Sequence, residues 1–445
     1  MKINIIRTYC LIGLCVSCKK DPIITLDQDQ NVVIEAITPA NDAPNILLII
    51  ADDMGIESTP GYPVGSVKPN MPNLEQLVSK GITFENAWSY PVCSPTRASI
   101  LTGKNSFRTG VLNAEEASSL SISERTLHSF LDEYTNSSYS HSIIGKWHLS
   151  RNSPERPTEM GIGYYAGLLN GGVEDYSNWR FTENGVTNIS NEYVTTKITD
   201  LAIDWIDQQN QPWFCWVAYT APHTPFHLPP NKMHNQTGLS NNLEDIIANP
   251  LTYFHAMIES LDYEIGRLIE NIPTDELDNT TILFIGDNGT SGRVIQAPFS
   301  QGKGTLYQGG IHVPLIVSGK NVTRINAREQ SLINSSDLFA TIAEMTGIKV
   351  PVYENSYSFN SLLTSNQPGK RNYNYSQILD SNKSKSGYTI RNEQFKLIVF
   401  ENGNSELYDL NIDPYETTNL MERSLTNTQQ TALEELRQKV EELRN

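Results

Sequence analysis

The run Asn45-Ile46-Leu47-Leu48-Ile49-Ile50 constrains this chain more than any other stretch. It is apolar without alternation, as expected of a strand covered on both faces in a parallel sheet. Such a strand needs helices on both sides of the sheet, and the sequence supplies candidates. Residues 72–80 carry Leu74, Leu77 and Val78 on one face and meet Gly81 as a stop. Residues 251–272 set Phe254, Met257, Ile258, Leu261, Ile265, Leu268 and Ile269 at helical spacing. Residues 142–145, 213–219 and 281–285 read as further strands. This alternation predicts a doubly wound, mostly parallel α/β sheet.

Open sheets of this kind bind ligands beyond the carboxyl ends of their strands. Polar clusters fall at those ends: Asp52-Asp53, Lys146 with His148, Pro222-His223-Thr224-Pro225, and Asp287-Asn288-Gly289. A turn or a helix cap explains any one of them. Four at equivalent strand ends point to one shared site.

The texture changes near residue 350. Residues 387–391 and 395–400, broken by Asn402-Gly403, suggest antiparallel hairpins, and residues 428–444 form a charged closing helix with Leu433, Leu436, Val440 and Leu443 on one side. The division expected is a catalytic domain over 45–350 and a smaller C-terminal α+β subdomain over 351–445.

The opening residues have a different character. Lys2 and Arg7 precede an apolar stretch over 9–16 that turns polar at Ser17-Cys18-Lys19-Lys20-Asp21, the layout of an export signal. A membrane span needs about 20 apolar residues, more than this stretch holds. Leu14-Cys15-Val16-Ser17-Cys18 is similar to a loose bacterial lipobox, which makes residues 1–18 a lipoprotein signal and Cys18 the lipidated first residue of an exported protein. An ordinary signal cleaved nearby is the alternative. Residues 19–44, with Pro22, Pro39 and Pro44, read as a linker, and a periplasmic or cell-surface location follows.

Of five cysteines, three lie in the first eighteen residues, so the folded body holds only Cys93 and Cys215 and no disulfide framework. Cys215 sits in a buried-strand pattern and reads as an inert core residue. Cys93 opens Cys93-Ser94-Pro95-Thr96-Arg97-Ala98-Ser99-Ile100-Leu101-Thr102-Gly103-Lys104, where Pro95 suits the first turn of a helix. A helix N-terminus favours an anion, and Arg97 lies one turn along. The residues alone allow a thiolate nucleophile there.

Cys-x-Pro-x-Arg followed by small residues and Thr-Gly resembles the signature of the formylglycine-dependent sulfatases of the alkaline phosphatase superfamily. The resemblance extends through Asp52-Asp53, Gly145-Lys146-Trp147-His148-Leu149, Pro222-His223-Thr224-Pro225, Asp287-Asn288-Gly289, Gly302-Lys303-Gly304-Thr305-Leu306-Tyr307 and Glu406-Leu407-Tyr408-Asp409-Leu410 with Asp413-Pro414. It implies an alkaline phosphatase-like fold and a sulfuric ester hydrolase whose nucleophile is formylglycine (3-oxoalanine), made from Cys93 by a maturation enzyme. It further implies a divalent cation, Ca²⁺ ahead of Mg²⁺, held by Asp52, Asp53, Asp287, Asn288 and residue 93. By the same resemblance Arg97 fixes the nucleophile and Lys146 and Lys303 clamp the sulfate. His148 serves as base, His223 as general acid, and Lys104 supports the site. The family often carries Glu and Arg where this chain has Gln308 and His312, which suggests a replaced structural ion pair.

Lys plus Arg total 33 against 50 for Asp plus Glu, a net charge of −17, which argues against a nucleic-acid partner or an anionic membrane surface. The expected partner is a sulfated polysaccharide or oligosaccharide, algal or glycosaminoglycan. Trp88, Tyr90, Asn113, Asp175, Tyr176, Trp179, Arg180 and Arg293 are candidate sugar contacts. Two other functions stay open: a phosphonate monoester or phosphodiester hydrolase of the same superfamily, and a non-catalytic lipoprotein that binds sulfated glycan.

Overall fold

The computed structural model describes residues 34–39, 43–115 and 119–445. The export signal and Cys18 lie outside the described residues, as does most of the linker. Residues 34–445 pack as one compact unit.

The first strand, β1 (Asn45–Ala51), is buried at every position. Its side chains divide by parity: Ile46, Leu48 and Ile50 enter one apolar cluster, and Leu47, Ile49 and Ala51 enter another on the opposite face. A strand with two buried faces is what the unalternating run requires. Each of its Leu and Ile side chains contributes about 2 kcal/mol by leaving water.

The main sheet is completed by β2 (Gly81–Trp88), β3 (Ser140–Lys146), β4 (Tyr164–Leu168), β5 (Trp179–Glu183), β6 (Val186–Ser190), β7 (Trp213–Ala218), β8 (Thr280–Gly286), β9 (Leu315–Gly319) and β10 (Ala327–Asn334). Their order is β10-β2-β9-β8-β1-β7-β3-β4-β5-β6. The centre is parallel, with β8, β1, β7, β3 and β4 running together. Both flanks depart from that pattern: β9 is antiparallel to β8 and β2, and the β5–β6 hairpin is antiparallel to β4. The helices Cys93–Thr102 and Asp337–Met345 cover one face. Pro72–Lys80, Val194–Ile206 and Pro250–Asn271 cover the other. The sheet is therefore doubly wound and mostly parallel, as expected.

A short hairpin of β11 (Val352–Tyr353) and β12 (Ser356–Tyr357) follows. Beyond it, β13 (Asn374–Ile378), β14 (Gly387–Arg391), β15 (Phe395–Phe400) and β16 (Ser405–Asp409) form an antiparallel sheet in chain order. The closing helix Asn427–Arg444 starts at a capping box in which Thr426 and Gln429 satisfy each other's backbone. It lays Leu433, Leu436 and Val440 against Phe395, Leu397 and Leu407.

Cys215 lies within β7, fully buried, where it accepts a hydrogen bond from Ser142 Oγ at 3.4 Å. Burial pushes its thiol up to about 12, consistent with an inert core residue. Among the described residues no helix is long and apolar enough to cross a membrane.

Candidate active site

The strands β1, β3 and β8 all deliver polar side chains at their carboxyl ends. Asp52 and Asp53 leave β1, Lys146 ends β3 with His148 two residues on, and Asp287 and Asn288 leave β8. β1 pairs directly with β8 and, through β7, with β3, and this ladder brings together residues far apart in sequence. Asp53 and His148 both take positive φ, 67° and 58°. A non-glycine residue in that region costs about 1–3 kcal/mol, supported by the surrounding packing.

Arg97 is the central fastener. Its Nε and Nη2 donate to Asp287 Oδ2 at 3.1 and 2.7 Å, and its Nη1 donates to the Lys146 carbonyl at 2.8 Å, all buried. Asp287 Oδ1 accepts the Asp53 backbone N–H at 3.2 Å, so one carboxylate ties β8, β1 and the helix Cys93–Thr102 together. Burial opposes the charge of Arg97, but Asp287 and Asp52 raise its affinity for the proton further. Lys146 Nζ lies 2.5 Å from Asp52, and Lys303 Nζ lies 2.6 Å from Asp53. Burial and the neighbouring Asp287 raise the Asp52 carboxyl above the usual carboxylate range. Burial also resists the ionisation of Asp53, yet Lys303 and His223 hold it well below that range.

Cys93 is the first residue of its helix, and its Sγ sits 3.2 Å from His148 Nδ1. Burial keeps the His148 imidazole well below its ordinary value, and Lys146, Arg97 and Lys303 add to the effect. The ring is therefore neutral near pH 7. His223 Nε2 lies 3.9 Å from Asp53, and its Nδ1 lies 2.7 Å from the Thr224 carbonyl.

The donor set fits a hard divalent cation. Ligand atoms of Asp52, Cys93 and Asp287 lie within 4.8 Å of one another, as do those of Asp52, Asp53 and His223. Among the described residues Asp52 Oδ1 and Asn288 Oδ1 are buried without a hydrogen-bond partner, while the Asn288 amide N–H groups donate to Asp53 and Gly289. Buried oxygen acceptors in that condition are costly unless a cation or water meets them.

Ten of the eleven expected site residues are thus gathered by these contacts. The exception is Lys104, which follows the far end of a ten-residue helix, about 15 Å along the axis from Cys93. Its ammonium pairs with Glu124 at 2.8 Å and Glu354 at 3.9 Å. Lys104 is therefore a surface ion-pair residue of this chain rather than a site residue.

The sugar contacts expected from the aromatics are also corrected. Trp88, Tyr90, Tyr176 and Trp179 are all buried. Trp88 donates to Gln308 Oε1 at 3.0 Å, Tyr90 to Asn105 at 3.2 Å, and Trp179 to the Glu192 carbonyl at 2.9 Å. Trp88 ends β2 and Trp179 opens β5, and these buried rings serve packing, with Trp179 also lining a cavity beside the β5–β6 hairpin. Tyr176 has a further task, since its hydroxyl donates to the carbonyls of His223 at 2.6 Å and Thr220 at 3.1 Å and so anchors the His223 loop. Asp175, Arg180 and Arg293 are exposed, and Asn113 is half-buried.

Sequence reading missed Gly171 and Gly172. A Cβ on Gly171 would lie 2.5 Å from the His148 ring, and one on Gly172 would lie 3.0 Å from the His223 ring. Both imidazoles rest against this one loop, which only glycines allow to approach so closely. The Asn-Gly-Gly tripeptide carried the turn signal, but nothing local connects it to histidines 23 or more residues away.

The chain matches the Sulfatase family model over residues 44–348 and the model "N-sulphoglucosamine sulphohydrolase, C-terminal" over residues 301–445. It is 26% identical over 386 residues to "Uncharacterized sulfatase YdeN" of Escherichia coli (strain K12), covering 72% of this chain and 66% of that protein. It is also 26% identical over 352 residues to N-acetylgalactosamine-6-sulfatase of Rattus norvegicus, covering 70% of this chain and 64% of that protein. The chain thus spans just under two thirds of the length of these two relatives. Its fold is similar to the crystal structure of Ps i-CgsB in complex with k-i-k-neocarrahexaose, with a TM-score of 0.77, 22% identity, and coverage of 90% of this chain and 93% of that one. With the Sulfatase match alone covering more than half of its residues, the chain belongs to the formylglycine-dependent sulfatase family of the alkaline phosphatase superfamily.

Proposed function

We propose that the protein hydrolyses sulfate monoesters on sulfated carbohydrate, with residue 93 as formylglycine. The observation that carries this reading is Cys93 at a helix N-terminus, 3.2 Å from a neutral His148 and among Arg97, Lys146 and Lys303. Cation-rich surroundings recognise the sulfate, and the burial that walls them off from water strengthens each contact.

Each residue then has a role. Arg97, fixed by Asp287, orients residue 93 and balances the carboxylates. Lys146 and Lys303 each pair with one carboxylate, and an ammonium has three donors, so both retain donors for sulfate oxygens. His148 takes the proton that residue 93 releases. His223, held by Tyr176, protonates the departing sugar oxygen. Asp52, Asp53, Asp287, Asn288 and residue 93 would hold a divalent cation, Ca²⁺ ahead of Mg²⁺, which when bound supplies Lewis-acid polarisation of a sulfate oxygen. Formylglycine hydrate supplies one hydroxyl to attack sulfur and a second whose deprotonation expels sulfate. The modification requires a separate maturation enzyme, and an exported protein anchored through Cys18 would meet its glycan outside the cytoplasm.

The carbohydrate class is supported by the relatives, one named for N-acetylgalactosamine-6-sulfate and one solved with a neocarrahexaose. The test is mass spectrometry of the Cys93 peptide from the native host, together with turnover of nitrophenyl sulfate and of a phenylphosphonate ester. Formylglycine at residue 93 and a preference for sulfate are expected. Unmodified cysteine with glycan binding would identify a binding protein instead, and a preference for phosphonate would identify a phosphonate hydrolase.

A further inference from the structure

Next to the two histidines lies a cavity of about 360 Å³, between the end of β4 and the β5–β6 hairpin. This is the size of a small-ligand site, about 300–1,000 Å³. Gly172 lines the cavity and lies against the His223 ring, while its neighbour Gly171 lies against His148. One loop thus lies against both imidazoles and also contributes to the wall of the cavity, which puts the cavity beside the histidines.

The lining is polar in a particular way. Asn152, Asn170 and Arg180 all contribute to it, and among the described residues their side chains make no hydrogen bond or ion pair. Amides of this kind suit sugar hydroxyls. Arg180 calls for a different partner. The protein carries a net charge of −17, and Arg125, Arg156, Arg267, Arg324 and Arg328 each pair with a carboxylate. Arg180 has no such partner among the described residues, as Arg108, Arg293, Arg423 and Arg437 have none, but of these only Arg180 lines this cavity. Glu174 also lines the cavity but forms no ion pair with it. A guanidinium presents a planar fork matched to carboxylate and sulfate oxygens.

We propose that this cavity is the subsite for the sugar that carries or adjoins the scissile sulfate, and that Arg180 reads a second anionic group there, a sulfate ester or a uronate carboxylate. The proposal rests on the sulfatase reading for the placement of the first sulfate at residue 93. It makes Arg180 a specificity-determining residue, supplied by the antiparallel hairpin that extends the edge of the sheet.

The test uses three oligosaccharides with the same scissile sulfate: one with no second anion, one with a second sulfate, and one with an adjacent uronate. Wild type and Arg180→Ala are compared by kcat/KM. Binding of the same three ligands is measured by calorimetry in a Cys93→Ala background, with and without Arg180→Ala, so the subsite is read whether or not the protein turns over sulfate. Wild type should favour at least one charged ligand, which identifies the anion. Arg180→Ala should weaken that ligand about 10- to 100-fold, mainly through KM, and erase the preference. Arg180→Lys should restore part of it. The proposal is overturned if Arg180→Ala affects all three ligands alike, or none of them. Failure of turnover with the binding preference intact would instead count against the sulfatase reading.

Discussion

Two buried ionic clusters in this molecule invite comparison, one at the strand ends and one where the C-terminal sheet meets the main sheet. In the second, Lys396 of β15 and Glu416 form an ion pair with side chains 0% and 2% exposed. Lys396 Nζ also donates to the Leu306 carbonyl at 2.7 Å and sits 5.0 Å from the centre of the Trp88 ring. Glu416 accepts the Gln308 backbone N–H at 2.5 Å. At the strand ends, by contrast, Asp52 Oδ1 and Asn288 Oδ1 have no hydrogen-bond partner among the described residues, and Lys303 and His223 reach solvent with side chains 21% and 19% exposed. Both clusters bear the cost of desolvation. The closed one returns it as a fastener between two sheets, whereas the open one keeps acceptors and donors available to a ligand.

The largest effect should come from the open cluster. Asp287→Ala removes the carboxylate that holds Arg97 and the Asp53 backbone, and with it one expected metal ligand. Turnover of nitrophenyl sulfate should fall by about a thousandfold or more, measured as kcat/KM on protein whose formylglycine content is verified. Activity within tenfold of wild type would mean that Asp287 is only a structural tie, like Glu416.

The closed cluster should show the opposite profile. Lys396→Ala leaves Glu416 buried and unpaired, which should lower the unfolding free energy by about 3–5 kcal/mol, read from denaturant titration. The surviving folded enzyme should retain its kcat. The pair Lys396→Met with Glu416→Leu should recover much of the loss, since it removes both charges together, although the Leu306 carbonyl and the Gln308 N–H still lose their partners. A loss of kcat at unchanged stability would erase the distinction between the two clusters.

The open cluster was legible in the sequence and the closed one was not. Asp52, Asp53, Lys146 and Asp287 each sit at or just beyond the end of an apolar run, so predicting the strand also predicts where the side chain goes. The central sheet was legible for the same reason, because β1, β7 and β8 are buried on both faces. β5 and β6 are short and largely polar, with no apolar run to announce them, although Asn184-Gly185 between them is a hairpin signal. Lys104 shows the opposite error, in which a motif position suggests proximity that the length of a helix rules out. Lys396 looks like any strand lysine, and Glu416 like any loop acid, until the two sheets pack. Gln308 and His312, expected to stand for a replaced ion pair, lie beside this hidden one: the Gln308 amide oxygen accepts from Trp88, and His312 Nε2 has no hydrogen-bond partner among the described residues.

His312 gives the smallest of these effects and the one that probes the closed cluster without dismantling it. Burial lowers its imidazole to about 3, with Arg391 and Lys396 adding repulsion. An unfolded histidine titrates near 6.5, so between that value and about 3 the unfolded chain holds a proton that the folded protein refuses. Stability from this residue is therefore complete above pH 6.5 and declines as the pH falls, by roughly 2 kcal/mol at pH 5. His128 and His148, also held low by burial, act in the same direction. Replacing His312 with glutamine should flatten the fall in unfolding free energy between pH 7 and pH 5 by up to about that amount. The wild-type slope, unchanged in that variant, would mean that His312 is hydrated enough to protonate freely, and that the cluster around Lys396 and Glu416 is more open to water than its burial indicates.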